Sequence, residues 1–476
     1  MRRPAGHFIF AGLLIGLLAW SCLPEQEKIS TDPDVRLRFS SDSVAFDTIF
    51  TAVNSITRRL KVYNDSRNAV EIGSISVAGG ESSPFSIVVN GAAAQNHENV
   101  RLLGEDSLLV LVDVTIDPAD EDNPFLVTDK IMFDTNGNSQ EVDLVAYGQD
   151  AVFINGEILE CNTTWTADRP YVIYNSVLID SLCTLTVEKG ARIYSHNASY
   201  IFVQGSIIAS GTVEEPVVFS NDRFDENFVN APGQWGGIIL LEGSHSNEMD
   251  QARIRNARVG IYVGTPDENE IPDLVLSNSI IENMGGAEAL PSGDFSILPG
   301  YGILGFNSDI SAYNVLIDNC EVQSVGNFAG GNYLYQHCTF ANFSFDFFRQ
   351  SPGVLLADNI ILADNSVLQN PLRVTMLNSI VWGNLQDEID FSIGDQDNAE
   401  LILQNNLIRT QKHRESLEEF NVLNIDPEFI DPEKYNYRLM DSSPAIDAGL
   451  PLGISTDLDG NTRNEFPDIG AYEKVQ

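Results

Sequence analysis

QARIRN (Gln251–Asn256), NSIIEN (Asn278–Asn283), NVLIDN (Asn314–Asn319), HCTFAN (His337–Asn342), NIILAD (Asn359–Asp364), NSIVWG (Asn378–Gly383) and NNLIRT (Asn405–Thr410) are copies of one phrase. Their starts lie 27, 36, 23, 22, 19 and 27 residues apart. A period near 22 with drifting loop lengths is that of a β-solenoid coil rather than a helical repeat. Side chains alternate faces along a strand, so each position can be assigned a side. The second position is mostly small (Ala252, Ser279, Val315, Cys338, Ser379) and the fourth always apolar (Ile254, Ile281, Ile317, Phe340, Leu362, Val381, Ile408). These two point inward, and the mixed fifth position points outward. The sixth turns back inward at the bend, where Asn256, Asn283, Asn319 and Asn342 can stack and satisfy turn backbone.

The third position should then face out. It holds Arg253, followed by Ile280, Leu316, Thr339, Ile361, Ile380 and Leu407. So many aliphatics on an outer sheet face do not stay wet, and bare patches of that extent mark an interface. The sequence therefore predicts that this face is covered by a partner or by the chain itself. The Gly285–Tyr301 excursion, the C-terminal segment and the N-terminal domain are the in-chain candidates. A one-residue slip in the inside–outside assignment would instead place the stripe in the core.

The run from Trp165 to Glu473 resembles a family of Bacteroidota surface lipoproteins. The matching phrases include LTVEKGARIYSH (Leu185–His196), GTVEEPVVFSNDR (Gly211–Arg223), PGQWGGI (Pro232–Ile238), SPAIDAG (Ser443–Gly449) and PDIGAYE (Pro467–Glu473). The resemblance implies a right-handed parallel β-helix of the pectin-lyase-like kind over residues 151–425. Residues 426–476 would add last strands and cap it. It implies little about activity.

Ahead of that domain, residues 35–150 hold seven strand-like runs between Ser43 and Ala146, with an Asn136-Gly137 hairpin turn. That density argues a β-sandwich, and the region resembles the Ig-like domains that precede surface modules. The whole chain thus reads as all-β. Residues 1–22 read as a lipoprotein signal peptide: Arg2 and Arg3, an apolar Phe8–Trp20 too short to span a bilayer, and Ala19, Ser21 and Cys22 as in a lipobox. Cys22 would carry the lipid, and 23–34 would be a tether. The expected location is the outer membrane, exposed at the cell surface.

A net charge of −41 disfavours nucleic acid and anionic headgroups. No cofactor is implied. Acidic loops are where Ca²⁺, which takes oxygen ligands, would sit, and Asp457–Asn461 has carboxylates two apart. Cys161 and Cys183, one coil apart, are placed for a disulfide or for two stacked thiols. Cys320 and Cys338 occupy different phrase positions and are left unpaired.

The fold class hosts polysaccharide lyases and hydrolases, but fold alone does not make an enzyme. A uronate lyase needs a strong base, and Val259–Phe348 contains no Lys or Arg. Arg253, Arg255 and Arg258 are the remaining bases nearby and read as a solvated strand face. Asp387-Glu388 and Asp358 with Asp364 read as surface acids at turns. His245, His337 and His413 are scattered, and His337 replaces the first Asn of its phrase, which points to a structural stack. Tyr301, Phe306, Tyr313, Phe328, Tyr333 and Tyr335 are candidates for stacking on sugars or for packing. The sequence therefore leads to a lipid-anchored binding or adhesion protein with no catalytic residue, its partner an extracellular glycan or surface protein. The competing expectation is a polysaccharide lyase or hydrolase with a divergent site. The Gly264–Pro272 and Gly285–Tyr301 excursions are where such a solenoid would place a binding surface.

Overall fold

The computed structural model describes residues 28–475 except 52–54, 56, 120, 121, 123, 226, 227, 268, 289–298, 346 and 363. The leader with Cys22 lies outside the described residues. The chain divides into two compact units, Met1–Asp150 and Ala151–Gln476.

Two sheets enclose the core of the first unit. One contains Ser43–Phe50, Ala69–Val77, Asn96–Leu102, Phe125–Thr135 and Asn138–Gln149, with the short Ile29–Ser30 at its edge; the other centres on Arg58–Asn64, Asp106–Val114 and Phe85–Val89. Alternation puts Val44, Phe46, Leu60, Val62, Ile72, Phe85, Val110 and Phe133 in a shared core. Asn136 and Gly137 both take positive φ, 51° and 81°, as a two-residue hairpin turn demands. The strand Asn96–Leu102, NHENVRL, was not anticipated. It pairs on one side only, with Ala69–Val77, and its edge position tolerates a polar sequence without alternation.

In the second unit, parallel strands stack into three faces. Face 1 runs through Tyr200–Val203, Gly237–Leu240, Val259–Val263, the first halves of Tyr301–Tyr313 and Gln323–Gln336, Val354–Ala357 and Ile389–Ser392. Face 2 runs through Thr184–Glu188, Ser206–Ser210, Asn247–Asp250, Leu274–Ser277, the second halves of the same two long strands, Leu372–Leu377 and Ala399–Gln404. Face 3 is the repeated phrase: Ala252–Arg255, Ile280–Met284, Leu316–Cys320, Thr339–Asn342, Ile380–Gly383 and Leu407–Ile408 stack in register. Ile254, Ile281, Ile317, Phe340, Val381 and Ile408 are fully buried in the bore, so the fourth position is interior.

The first position of the phrase explains its asparagines. Gln251, Asn278, Asn314, His337, Asn378 and Asn405 all have φ between 47° and 53°. Asparagine tolerates this left-handed conformation better than other non-glycine residues. At the sixth position the expected ladder forms over Asn256, Asn283 and Asn319 but does not reach Asn342, which donates to Phe340 O at 3.2 Å and accepts from Ser324 Oγ. Asn256 donates to Asn221 Oδ1 at 2.7 Å, Asn283 to Asn256 at 3.1 Å and Asn319 to Asn283 at 2.8 Å.

The fifth copy, NIILAD, is not a coil strand. Asn359–Ile361 pairs antiparallel with Val367–Gln369, and Ile361 is 68% exposed. It belongs to a hairpin inserted in the coil that carries His337 to Asn378, 41 residues on. A short apolar run reads alike in a solenoid strand and in a hairpin, which is why the phrase misled.

The outer surface of face 3 is covered by the chain's own C-terminal segment. Leu316, Ile380 and Leu407 pack with Phe429, Tyr437, Leu439, Leu458, Ile469 and Tyr472, and Ile280 joins them half-buried. Covering each aliphatic contributes roughly 1.5–3 kcal/mol. Thr339 Oγ1 accepts the Ala471 N–H at 2.9 Å. The segment is latched to the first-position residues. Asn378 Nδ2 donates to Leu450 O at 2.7 Å and its Oδ1 accepts from Leu450 N at 2.8 Å. Asn314 donates to Thr456 O at 2.8 Å, and Arg463 donates to Asn314 Oδ1 at 2.9 Å. This strap lies along the flank, whereas the sequence placed residues 426–476 as an end closure. The last coil is instead plugged by Leu417, from the short helix Arg414–Leu417. At the other end Trp165 fills the first coil beside Tyr171, and a disulfide joins Cys161 to Cys183 with Cα atoms 4.6 Å apart. Before them, Val152–Ile158 pairs in parallel with Tyr171–Ile179 and keeps Val152, Phe153 and Ile158 exposed.

Candidate functional site

With face 3 strapped, the open corner of each coil lies between faces 1 and 2. Turns there line up from coil to coil, because parallel strands stack about 4.8 Å apart. The Gly264–Pro272 excursion falls at this corner, between Val259–Val263 and Leu274–Ser277. The Gly285–Tyr301 excursion connects Ile280–Met284 of face 3 to Tyr301–Tyr313 of face 1, and its residues 289–298 lie outside the described residues.

The first excursion is folded by its own side chains: Asp267 Oδ1 accepts Asn269 N at 2.9 Å and Asn269 Oδ1 accepts Ile271 N at 2.7 Å. It separates two adjoining cavities of about 220 and 420 Å³, which share Thr265, Asp267, Asn269 and Asp273. The smaller also takes in Glu270 from the excursion and Asp309, Asn332 and Arg373 from later coils, and the larger reaches back to Glu242 and His245. The wall of the smaller includes Gly331, at φ 111°, where a Cβ would sit 2.4 Å from Ser308 O. Only glycine lets these coils approach so closely.

Asp273 Oδ2 accepts Asp309 N at 2.9 Å. Asp309 Oδ1 in turn accepts Asn332 N at 3.1 Å and Asn332 Nδ2 at 2.7 Å. Asp309 Oδ2, on a residue 6% exposed, has no hydrogen-bond partner within the protein. Leaving a buried acceptor unmatched costs about 1–3 kcal/mol. Burial pushes the Asp273 carboxyl up to about 6, helped by the charges of Asp267 and Asp309. Burial also raises Asp309, with Asp267 and Glu270 adding to it. Arg373 sits at the rim, 3.4 Å from Glu270 and 3.2 Å from Asn332 Oδ1.

The candidates read from the sequence scatter. Arg253 is exposed on face 3, while Arg255 pairs with Glu282 at 3.1 Å. Arg258 lies round the corner, buried, and pairs with Glu288 at 2.5 Å. The three therefore form neither one constellation nor one solvated face. Glu388, expected at the surface, is fully buried and pairs with Arg349 at 2.6 Å. Asp358 is buried too, its oxygens accepting Gly394 N, Asp395 N and Gln369 Nε2 at 2.8–3.0 Å. Only Asp364 of these acids is exposed. Tyr333 and Tyr335 are core residues and cannot stack on a sugar; Tyr301 is buried against Phe328, and Phe306 and Tyr313 are half-buried.

His337 is structural. Asn378 donates to Nε2 at 2.9 Å, Nδ1 meets Asp468 O at 3.1 Å, and burial lowers its pKa to about 3. His413 meets Asp390 at 2.8 Å and His245 is exposed. Asp457 accepts N–H groups of Asp459, Asn461 and Glu473, and Asp459 is held by Arg438 at 2.6 Å. Among the described residues, no group of three His, Cys, Asp or Glu side chains is arranged to hold a metal.

Sequence reasoning missed Asp273, in a bend before Leu274–Ser277, and Asp309, inside the strand Tyr301–Tyr313; neither belongs to a motif. It also missed the His196–Asp222 pair at 2.7 Å, whose imidazole lies tilted against the Tyr174 ring. A depression of about 940 Å³ on the first unit is larger than either corner cavity, but it is lined mainly by Ser, Ala and Gly with one exposed carboxylate, Glu81.

Stacked parallel strands, an apolar bore and corner turns define a parallel β-helix. The comparisons refine this. A family model described as a pectate-lyase-like β-helix domain matches residues 156–270, which reach into the groove but stop short of Asp273. The second unit therefore contains a β-helix domain of the pectate-lyase-like type. No curated protein matches the chain. Among solved structures, a protein of unknown function from Porphyromonas gingivalis W83 is 10% identical, at TM-score 0.17, over 26% of this chain and 59% of that one. The E. coli chaperone DraB is 16% identical, at TM-score 0.17, over 26% and 56%. A family 123 glycoside hydrolase from Clostridium perfringens, described for glycolipid glycan hydrolysis, is 8% identical, at TM-score 0.18, over 28% and 30%. The chain thus spans less than two thirds of each, and at these scores none bears on function.

Proposed function

We propose that this is a lipid-anchored surface protein of the Bacteroidota type, held by Cys22 at the outer membrane. Its first unit would be an Ig-like stalk, and its β-helix would bind extracellular glycan without chemistry of its own. The observation that carries the binding reading is the buried, unmatched Asp309 Oδ2 in a groove of hydrogen-bonding side chains. The leader sequence supports the anchor, and the two-sheet first unit supports the stalk. Cys22→Ala in the native host should release the protein from the membrane fraction. Retention with an unmodified mature N-terminus would sink the anchor. A glycan array on the soluble chain should show binding that a groove variant, Asp309→Asn, weakens.

One observation favours an enzyme as the second reading. Glycoside hydrolysis needs two carboxylates in unlike environments, one protonated near neutrality. Asp273, at about 6, adjoins Asp309. Hydrolysis of neutral oligosaccharides that Asp273→Asn abolishes while binding persists would establish that reading instead.

A further inference from the structure

We infer that the strap over face 3 is an acid-releasable cover, and that protonation of His337 is what unseats it. The hydrogen bonds around His337 admit one protonation state. Asn378 Oδ1 accepts Leu450 N at 2.8 Å and its Nδ2 donates to Leu450 O at 2.7 Å, which fixes the way the amide points. It is therefore Nδ2 that meets His337 Nε2 at 2.9 Å, and Nε2 must accept. The ring proton then sits on Nδ1, which donates to Asp468 O at 3.1 Å. A second proton would have to go on Nε2, where it would point at the Asn378 amide hydrogens, donor against donor.

The charges nearby do not rescue the protonated ring. From the strap, the Arg463 guanidinium donates to the same Asp468 carbonyl at 3.3 Å, and Glu473 is already paired with Arg463 at 3.1 Å. The Asp468 carboxylate accepts Asp447 N and Lys474 N, and that of Asp457 accepts Asp459 N, Asn461 N and Glu473 N. From the coils come the neutral amides of Asn314 and Asn378, and the next residue in the chain is the buried thiol of Cys338. Burial, with Arg463 adding to it, accordingly lowers the imidazole to about 3. The strain is released outward. His337 N is bonded to Leu377 O in the neighbouring coil, and Gln336 O accepts Asn314 N, so the backbone belongs to the stack. Asp468 and Gly470, which face the ring from outside, belong to the strap. Lifting them bares Leu316, Ile380 and Leu407. The other first-position residues on face 3, Gln251, Asn278, Asn314, Asn378 and Asn405, do not titrate, so His337 alone makes this row of latches sensitive to protons.

The imidazole is lowered from an ordinary 6.5, so its contribution to the seated strap is fully present above 6.5 and is lost as pH falls towards about 3. Hydrogen exchange on the whole chain, corrected for the intrinsic pH dependence of exchange, tests this. The amides of Leu450, Gly470 and Ala471 bond across to Asn378 and Thr339 and report the strap. Tyr200–Val203 and Val259–Val263, on face 1, serve as the reference. Between pH 6.5 and about 4 the opening constant of the strap should rise about a hundredfold while the reference strands stay protected. His337→Asn places there the residue that Asn314 and Asn378 supply in their copies, and should cut the rise to less than about fivefold. That variant keeps Asp447, Asp457, Asp468 and Glu473, so a rise as steep as in the wild type assigns the release to these carboxylates and overturns the inference. As a second measurement, nitrogen NMR of histidine-labelled wild-type protein should show His337 neutral, with its proton on Nδ1, for as long as the strap amides are protected. A His337 ring that takes up its second proton under a protected strap overturns the inference. So does loss of the reference strands in step with the strap, because the strap would then not open as a unit of its own.

Discussion

Two corners of the same coils are treated in opposite ways. Between faces 2 and 3 the turn is short, its first residue sits in the left-handed region, and its side chain is matched. Asn314 and Asn378 give and receive hydrogen bonds with the strap, and His337 is held between Asn378 and Asp468. Between faces 1 and 2 the connection ranges from none, within Tyr301–Tyr313 and Gln323–Gln336, to the Gly264–Pro272 excursion; carboxylates crowd together, and Asp309 keeps one oxygen unmatched. The first corner uses its polar groups up in holding the protein together. The second keeps a buried carboxylate oxygen unmatched beside a cavity, at a cost to stability.

Substitutions should separate the two corners. The largest effect is expected from Arg463→Ala in the strap. Arg463 is buried, 3.1 Å from the equally buried Glu473, and also donates to Asn314 and Gly470 O. Removing it strands a buried carboxylate, and chemical denaturation should report a loss of about 3–5 kcal/mol. A loss under about 1 kcal/mol, as for an exposed ion pair, would show that the strap is only loosely seated.

Next in size is a direct contrast between corners. Asn378→Ala should cost about 1–3 kcal/mol, since it leaves both Leu450 backbone groups and His337 Nε2 unmatched. Asp309→Asn should be neutral or stabilising by up to about 1 kcal/mol, because it removes charge where charge is disfavoured. Equal losses at both sites would erase the distinction.

The smallest effect is in pH dependence. Asp273 is raised to about 6 from an ordinary 3.8, so the folded protein binds a proton there more tightly than the unfolded chain. Its contribution is therefore fully present below about 3.8 and is lost as pH rises through about 6. Wild-type stability should decline across that window by more than that of Asp273→Asn. Coincident wild-type and variant profiles would place Asp273 in ordinary solvent.

Much of this architecture was readable because the phrase repeats with a strict two-residue alternation. Ile254, Ile281 and Ile317 declare the bore, and Ile280, Leu316 and Ile380 declare a face that cannot stay wet. What covers that face was not readable, because the strap has no repeat of its own and depends on side chains such as Arg463 that meet partners more than a hundred residues away. NIILAD failed for a related reason: its composition is that of a coil strand, and only pairing distinguishes it. The groove was half legible. The excursion containing Asp267 stood out by length, but Asp273 and Asp309 acquire their character from burial and from each other, which no local pattern records. Glu388 and Asp358 err in the other direction, since acids in turns read as solvated until Arg349 and the backbone of Gly394 and Asp395 are seen to enclose them.

The latches have a consequence for how such a chain can vary. Asn405, Asn378, His337, Asn314 and Gln251 meet the strap at Ala448, Leu450, Asp468, Thr456 and Leu458. The strap thus works as a ruler laid against the solenoid, graduated in coils. Duplicating or deleting one coil, the commonest way for repeat proteins to change length, would put every latch beyond the change out of register. This flank fixes the number of coils, while the opposite corner can lengthen its turns freely, as the inserted hairpin at Asn359–Gln369 already does.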